Sequence, residues 1–187
     1  MKYFWLYIKE TLRFVLKPMS FLPAIIMMCL IFMLSSQEGD ASSRLSYKVG
    51  VKIFTYANET LDKGWSQEKI ENLSLDYQYY VRKAAHFTEY FLLAVSVAFP
   101  LYVYRVRGVL LVFLAGIICV AYAGLDEYHQ SFVAGRGPQL KDVFIDSCGS
   151  FVGIIVTRIV GWTGRMTIFA PLSSHKDDDD KQKQKRY

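Results

Sequence analysis

The sequence predicts an all-α membrane protein with four transmembrane helices, an amphipathic N-terminal segment and an extracellular loop that contains an amphipathic helix. Composition is the first indication, because 52% of the 187 residues are hydrophobic, 16% are aromatic and the mean hydropathy is +0.18. The apolar residues also form blocks of about 20, the length that a helix needs to cross a bilayer. Basic residues, in contrast, gather near the chain ends and in short connections.

The first span follows residues 1–17, a basic and amphipathic segment that we expect to lie along the membrane surface. Pro18 and Pro23 suit a helix start, and the run that ends at Leu34 is uncharged. No small-residue cleavage site follows this run, so we interpret it as an uncleaved anchor. The other three spans are predicted at residues 84–104, 109–125 and 143–160.

The polar connection at residues 35–80 is predicted to carry two short helices outside the membrane. Residues 44–61 place apolar side chains on one face and charged ones on the other, which is typical of an amphipathic helix. Lys63 and Gly64 interrupt this pattern, and Ser66 suits the N-cap of a second short helix.

Residues 1–165 are predicted to form a single transmembrane domain, followed by a polar, disordered cytoplasmic tail at 166–187. The tail contains an acidic run flanked by lysines that resembles part of an epitope or protease tag and that could equally be native.

Two classes of site find little support in the sequence. Cys29, Cys119 and Cys148 lie in apolar runs without disulfide or zinc spacing, which favours small buried hydrophobes. The net charge of +5 comes without a basic patch interleaved with aromatic residues, so we expect no nucleic-acid partner.

The positive-inside rule places both termini and the basic turn at 105–107 in the cytoplasm. The polar residues at the other ends of the spans then share the outer face of a bacterial plasma membrane. They are Ser36, Gln37, Arg82, Lys83, His86, Glu89, Asp126, Glu127, Gln130, Arg136, Asp142 and Asp146. Ionisable groups at membrane depth are costly, so a cluster of them points to function.

Within this set, His86 and Glu89 with Asp126 and Glu127 suit general acid and base chemistry. The cationic members suit binding of a phosphate or carboxylate, and these are Arg82, Lys83 and Arg136. No cofactor is otherwise indicated, although oxygen ligands from Asp126, Glu127, Asp142 and Asp146 could hold a divalent cation. Alternatively, these charges pair with one another and only lock the bundle, Arg82 with Glu89 and Arg136 with Asp126.

Three stretches resemble the signatures of the VanZ-like family. They are RKAAHFTEY at 82–90, Ser35-Ser36-Gln37 after the first span, and the pattern from Asp126 through Arg136 to Asp142, Asp146, Gly149 and Gly153. Many members of the family carry Asn where this chain has Asp146. The resemblance implies a polytopic bacterial membrane protein that contributes to resistance to teicoplanin and related lipoglycopeptides, and it brings no established reaction.

The residues therefore leave two main hypotheses open. In the first, an outward-facing polar pocket engages a membrane lipid, a lipid-linked peptidoglycan precursor or a lipoglycopeptide antibiotic. In the second, the protein is a membrane-embedded enzyme that modifies a phospholipid or lipid-linked precursor with His86 and Glu89. A transporter is less favoured, because the polar groups stop at one face instead of reaching the midplane.

Overall fold

The computed structural model describes residues 17–167, with side chains as far as residue 163. This part of the chain is helical, in five elements: α1 Leu22–Ser35, α2 Gly39–Leu61, α3 Gln67–Val103, α4 Gly108–Gln130 and α5 Leu140–Thr167. The predicted surface segment at 1–16 and the tail from 168 onward lie outside the described residues.

Four helices between residues 17 and 167 are long and apolar enough to cross a membrane: Lys17–Ser35, Gln67–Val103, Gly108–Gln130 and Leu140–Thr163. Large apolar side chains such as Ile25, Phe99 and Phe113 remain exposed on them, as expected where lipid covers a helix. These features confirm the predicted fold class, and the chain is a multi-pass membrane protein.

The prediction of a short helix separate from the second span was wrong, because both belong to the 37-residue helix α3. Its N-cap is Ser66 as predicted, with Ser66 Oγ accepting a hydrogen bond from the Lys69 backbone N–H at 3.3 Å. No glycine or proline interrupts residues 67–99, so nothing in the sequence ends the helix before the apolar run begins. At about 1.5 Å per residue the helix is about 55 Å long, well beyond a hydrocarbon core of about 30 Å.

Helix α3 is central and contacts each of the other four helices. Its buried stripe consists of Tyr90, Leu93, Ala94 and Val97. Against α5 the approach is very close, because a Cβ atom added at Gly149 would meet the Phe87 carbonyl, and one at Gly153 would meet the Phe91 carbonyl. The two glycines thus serve the packing of α5 against α3.

Candidate functional site

The polar side chains meet at one end of the bundle, where the C-terminal ends of α1 and α4 reach the N-terminal end of α5 and the middle of α3. The opposite end is closed differently, with the Tyr102 hydroxyl donating to the Gly161 carbonyl at 3.0 Å. The polar end has an inner cluster and a charged mouth, which share α3 as their common wall.

The inner cluster is built around Asp126. Its Oδ2 atom accepts hydrogen bonds from the Ser35 hydroxyl at 2.9 Å and from Gln130 Nε2 at 3.0 Å. Gln130 Nε2 also donates to Ser35 Oγ at 3.2 Å, so the three side chains form a closed network. The network fixes one oxygen of Asp126 and leaves the other, Oδ1, without a hydrogen-bond partner among the described residues.

Three side chains from three helices face one another beside this network. His86, Asp126 and Asp146 each offer one nitrogen or oxygen atom, and these atoms all lie within 4.8 Å of one another. Tyr90 is fully buried, and its hydroxyl lies beside the Asp126 carboxylate without forming a hydrogen bond of normal geometry. On α3 itself, His86 Nδ1 lies 3.6 Å from Glu89 Oε2, close enough for an ion pair but too far for a hydrogen bond.

The charged mouth is held by contacts that differ from the predicted ones. Within residues 17–163 the structure pairs neither Arg82 with Glu89 nor Arg136 with Asp126. Instead, Lys83 Nζ forms an ion pair with Asp142 across α3 and α5, and an Arg82 guanidinium N–H donates to Ser43 Oγ on α2. Arg82 points toward α2 because α2 packs directly on α3. The sequence alone did not specify this position of α2.

Arg136 reaches the site from the loop between α4 and α5. The carboxylate of Glu127 accepts a hydrogen bond from the Gln139 backbone N–H, and the Ala134 carbonyl accepts one from the Gly39 N–H at 3.0 Å. Glu127 therefore orders the loop in addition to any role in the cluster. Burial is the main cause that lowers the pKa of Arg136, and the positive charge of Arg82 lowers it further. The negative charges of the facing acids oppose this shift.

A cavity of about 630 Å³ opens from this mouth between α2 and α3. Helix α2 packs on α3 through small residues, Ser42, Ser46 and Gly50, and leaves larger apolar side chains beside the gap. One end of the cavity is polar and the rest is apolar. The polar end is lined by Gln37, Arg82, His86, Glu89 and Arg136, and the apolar wall includes Leu45, Val49, Ile53, Phe54 and Leu92.

The structure places Ser35 and Ser36, which are adjacent at the end of α1, in different surroundings. Ser36 lies outside the cluster, where its hydroxyl donates to the Phe32 carbonyl and lies 3.1 Å from His129 Nε2. The inner position belongs to Ser35, which is buried. Gln37 lines the cavity, as do Arg82, His86, Glu89 and Arg136. Asp126, Gln130 and Asp146 belong to the inner cluster, Lys83 and Asp142 form the ion pair of the mouth, and Glu127 holds the loop.

Sequence reasoning also missed Tyr90, Ser43 and Ser150. Tyr90 lies one helical turn after His86, and Ser150 one turn after Asp146, so helical spacing was a usable signal for both. Ser150 is buried, and its hydroxyl lies beside the Cys119 thiol.

Comparison with known proteins gives one positive finding. The family model described as VanZ/LLP1 matches residues 20–161. No curated protein and no solved structure matches the chain. The family match includes most or all of each candidate span together with the cluster, the mouth and the cavity, which is well over half of the sequence. The chain therefore belongs to the VanZ/LLP1 family.

Proposed function

We propose that the protein binds an amphiphile with an anionic head group and a long apolar chain, and through it contributes to lipoglycopeptide resistance. The observation that carries this proposal is the cavity between α2 and α3, because cationic and apolar walls adjoin in it. Its volume of about 630 Å³ falls within the range of about 300–1,000 Å³ that is usual for small-molecule sites. Membership of the VanZ/LLP1 family supports the link to resistance.

The polar end of the cavity suits the head group. Arg82 and Arg136 reach it from α3 and from the α4–α5 loop, and a guanidinium binds phosphate or carboxylate through two parallel N–H groups. The apolar wall suits the chain, since Leu45, Val49 and Ile53 present hydrocarbon that α2 does not bury against α3. A membrane phospholipid, a lipid-linked peptidoglycan precursor and a lipoglycopeptide share this chemistry.

The proposed orientation rests on the distribution of charge. Both termini are proposed to be cytoplasmic because the basic turn at 105–107 lies at the end opposite to the site. The cavity then opens at the outer face of a bacterial plasma membrane, where precursors and antibiotics are found.

The test is binding to purified protein in lipid nanodiscs, with a lipoglycopeptide, its deacylated form, an isoprenyl phosphate and an uncharged diacylglycerol as probes. We expect saturable binding only of probes that carry both an anionic head group and a chain. The responses of the lipoglycopeptide and the isoprenyl phosphate identify which source of this chemistry the cavity prefers. Absence of saturable binding by every probe would overturn the proposal.

Two matched pairs of variants locate the binding. Val49→Trp fills the apolar wall, whereas Tyr56→Trp changes an exposed position of α2 that does not line the cavity. Arg136→Gln removes a cation from the polar end, whereas Arg44→Gln removes an exposed cation outside the cavity. We expect Val49→Trp and Arg136→Gln each to weaken binding at least about tenfold, and the two controls to bind as the parent protein does.

An enzymatic role is the second candidate, favoured by the 3.6 Å separation of His86 Nδ1 and Glu89 Oε2 at the polar end of the cavity. The variants His86→Gln and Glu89→Gln distinguish the enzymatic hypothesis from the binding hypothesis. Lost resistance with retained probe binding and membrane abundance favours chemistry, and lipid and precursor profiles of cells with and without the protein would reveal the product. Resistance that survives both substitutions excludes this pair as an acid and base.

A further inference from the structure

We propose that His86, Asp126 and Asp146 hold one divalent cation at the inner end of the site. This inference goes beyond amphiphile binding, because it concerns the inner cluster of α3, α4 and α5 and needs no amphiphile. The ligand set also differs from the all-carboxylate set that the sequence suggested, since Glu127 and Asp142 have other partners.

The geometry is close to that of a metal site. The three donor atoms lie within 4.8 Å of one another. Ligands of zinc lie about 2.0–2.2 Å from the ion at tetrahedral angles, so two of them are about 3.4 Å apart. Small rotations of side chains that already face each other would bring the three atoms to this separation.

Unpartnered buried atoms are the independent indication of a ligand. The Oδ1 atom of Asp146, which is 3% exposed, has no hydrogen-bond partner among the described residues. Asp126 is 4% exposed, and its Oδ1 atom accepts no hydrogen bond there either, although the Tyr90 hydroxyl lies beside this carboxylate. Burying a polar atom without a partner costs about 1–3 kcal/mol, and a charged one costs more. A cation between the two carboxylates would satisfy both atoms at once.

The charge of the whole site points the same way. Five carboxylates lie in it, namely Glu89, Asp126, Glu127, Asp142 and Asp146, against three cations, namely Arg82, Lys83 and Arg136. With all five carboxylates ionised and His86 neutral, the set carries two negative charges, which one divalent cation balances. Charge compensation matters here because ionisable groups inside a membrane bundle are otherwise expensive.

The donor set limits the choice of ion. One imidazole and two carboxylates suit Mn²⁺, Fe²⁺ or Zn²⁺, whereas Mg²⁺ and Ca²⁺ favour oxygen ligands alone. Ser35 and Gln130 would act on the metal indirectly, because their hydrogen bonds to Asp126 Oδ2 orient the carboxylate. His86 also lines the cavity, so a bound ion would lie next to the head group of an amphiphile.

The experiment measures metal on protein purified in an uncharged detergent, without any anionic amphiphile and after removal of affinity tags. Protein stripped with chelator is equilibrated with Mn²⁺, Zn²⁺ or Co²⁺, dialysed and analysed by mass spectrometry of the metal. We expect about one ion per chain in the parent protein. Asp146→Asn should lower the affinity at least about tenfold, since loss of an outer partner alone typically costs about 10–100-fold.

Two controls isolate the ligands. Asp142→Asn removes the same charge one helical turn away without removing a ligand, so its loss of affinity should be much smaller. Asp76→Asn changes an acid of α3 outside the cluster and should bind as the parent does. Any ions held by the acidic run near the C-terminus are common to all variants and cancel in the comparison.

A spectroscopic readout keeps the test valid if an Asp variant folds poorly. The visible spectrum of Co²⁺ on the parent protein should show a nitrogen ligand, and His86→Gln should remove its signature. Absence of a bound ion on the parent protein, or equal binding by Asp146→Asn, overturns the proposal and means that protons compensate the acids. Because no anionic amphiphile is present, either result leaves the binding proposal to its own test.

Discussion

The two sides of α3 are packed in different ways. Toward α5, glycines replace side chains, and the backbone of α3 at Phe87 and Phe91 lies directly against Gly149 and Gly153. Toward α2, small residues also make the contact at Ser42, Ser46 and Gly50, but a cavity of about 630 Å³ remains beside them. One helix thus supports a close interface on one side and an open one on the other.

This difference assigns a separate task to each side. The close interface fixes the distance between His86 on α3 and Asp146 on α5, which the proposed metal site would require within a fraction of an ångström. The open interface leaves room for a ligand of variable shape, because α2 is an amphipathic helix outside the four candidate spans. Changes on the α5 side should therefore affect stability, and changes on the α2 side should mainly affect binding.

The largest effect is expected from Gly149→Ala, which adds a methyl group against the Phe87 carbonyl. Backbone cannot move aside as a side chain can, so we expect a loss of about 1–3 kcal/mol in the free energy of unfolding. Reversible unfolding of the purified protein in mixed micelles, followed by circular dichroism, gives this value.

The matched control is Gly124→Ala on α4, where an added Cβ atom has nothing within 4 Å. Alanine is the better helix former, so this variant should gain about 0.5–1 kcal/mol. If both alanines change stability by the same amount and sign, the close contact between α3 and α5 does not contribute as described.

A smaller effect is expected from the ion pair between Lys83 and Asp142, which joins the same two helices at the mouth. The side chains are 13% and 19% exposed, so the pair is shielded more than a surface pair but is not fully buried. A double-mutant cycle with Lys83→Ala and Asp142→Ala should give a coupling free energy of about 1–2 kcal/mol. Coupling indistinguishable from zero would show that the pair only accompanies the glycine packing.

Most of the fold follows from the sequence because spans are local. Each depends on a run of apolar residues of membrane length, and the four runs lie in the helices that the structure contains. The sequence prediction was wrong at the start of α3, which it treated as a separate short helix. The polar residues from 67 to 83 belong to the same helix as the span. Polarity there marks the part that leaves the hydrocarbon core, and it does not mark a break in the backbone.

The site was only partly predictable, because contacts between helices depend on rotation about each helix axis. The sequence shows that Ser35 and Ser36 both end α1, but only packing shows that Ser35 faces Asp126 and Ser36 faces His129. The partner of Arg82 was missed for a similar reason, since Ser43 lies on a helix whose position the sequence does not specify. Residues on the inward stripe of α3, such as Tyr90, follow from helical spacing alone.

The smallest effect is expected from Ser66→Ala at the start of α3, in the part that packs on α2. The Ser66 hydroxyl accepts one hydrogen bond, from the Lys69 N–H at 3.3 Å, in an exposed position. Loss of an N-cap of this kind typically costs about 0.5–2 kcal/mol, and exposure places the value near the lower end. The adjacent connection keeps a second restraint, because Asn58 Oδ1 accepts from the Trp65 N–H at 2.8 Å. Fraying should therefore stay within the first turns of α3, and hydrogen exchange should rise there without reaching His86. Faster exchange at His86 would mean that the two sides of α3 unfold together, and that the open side also contributes to the geometry of the inner cluster.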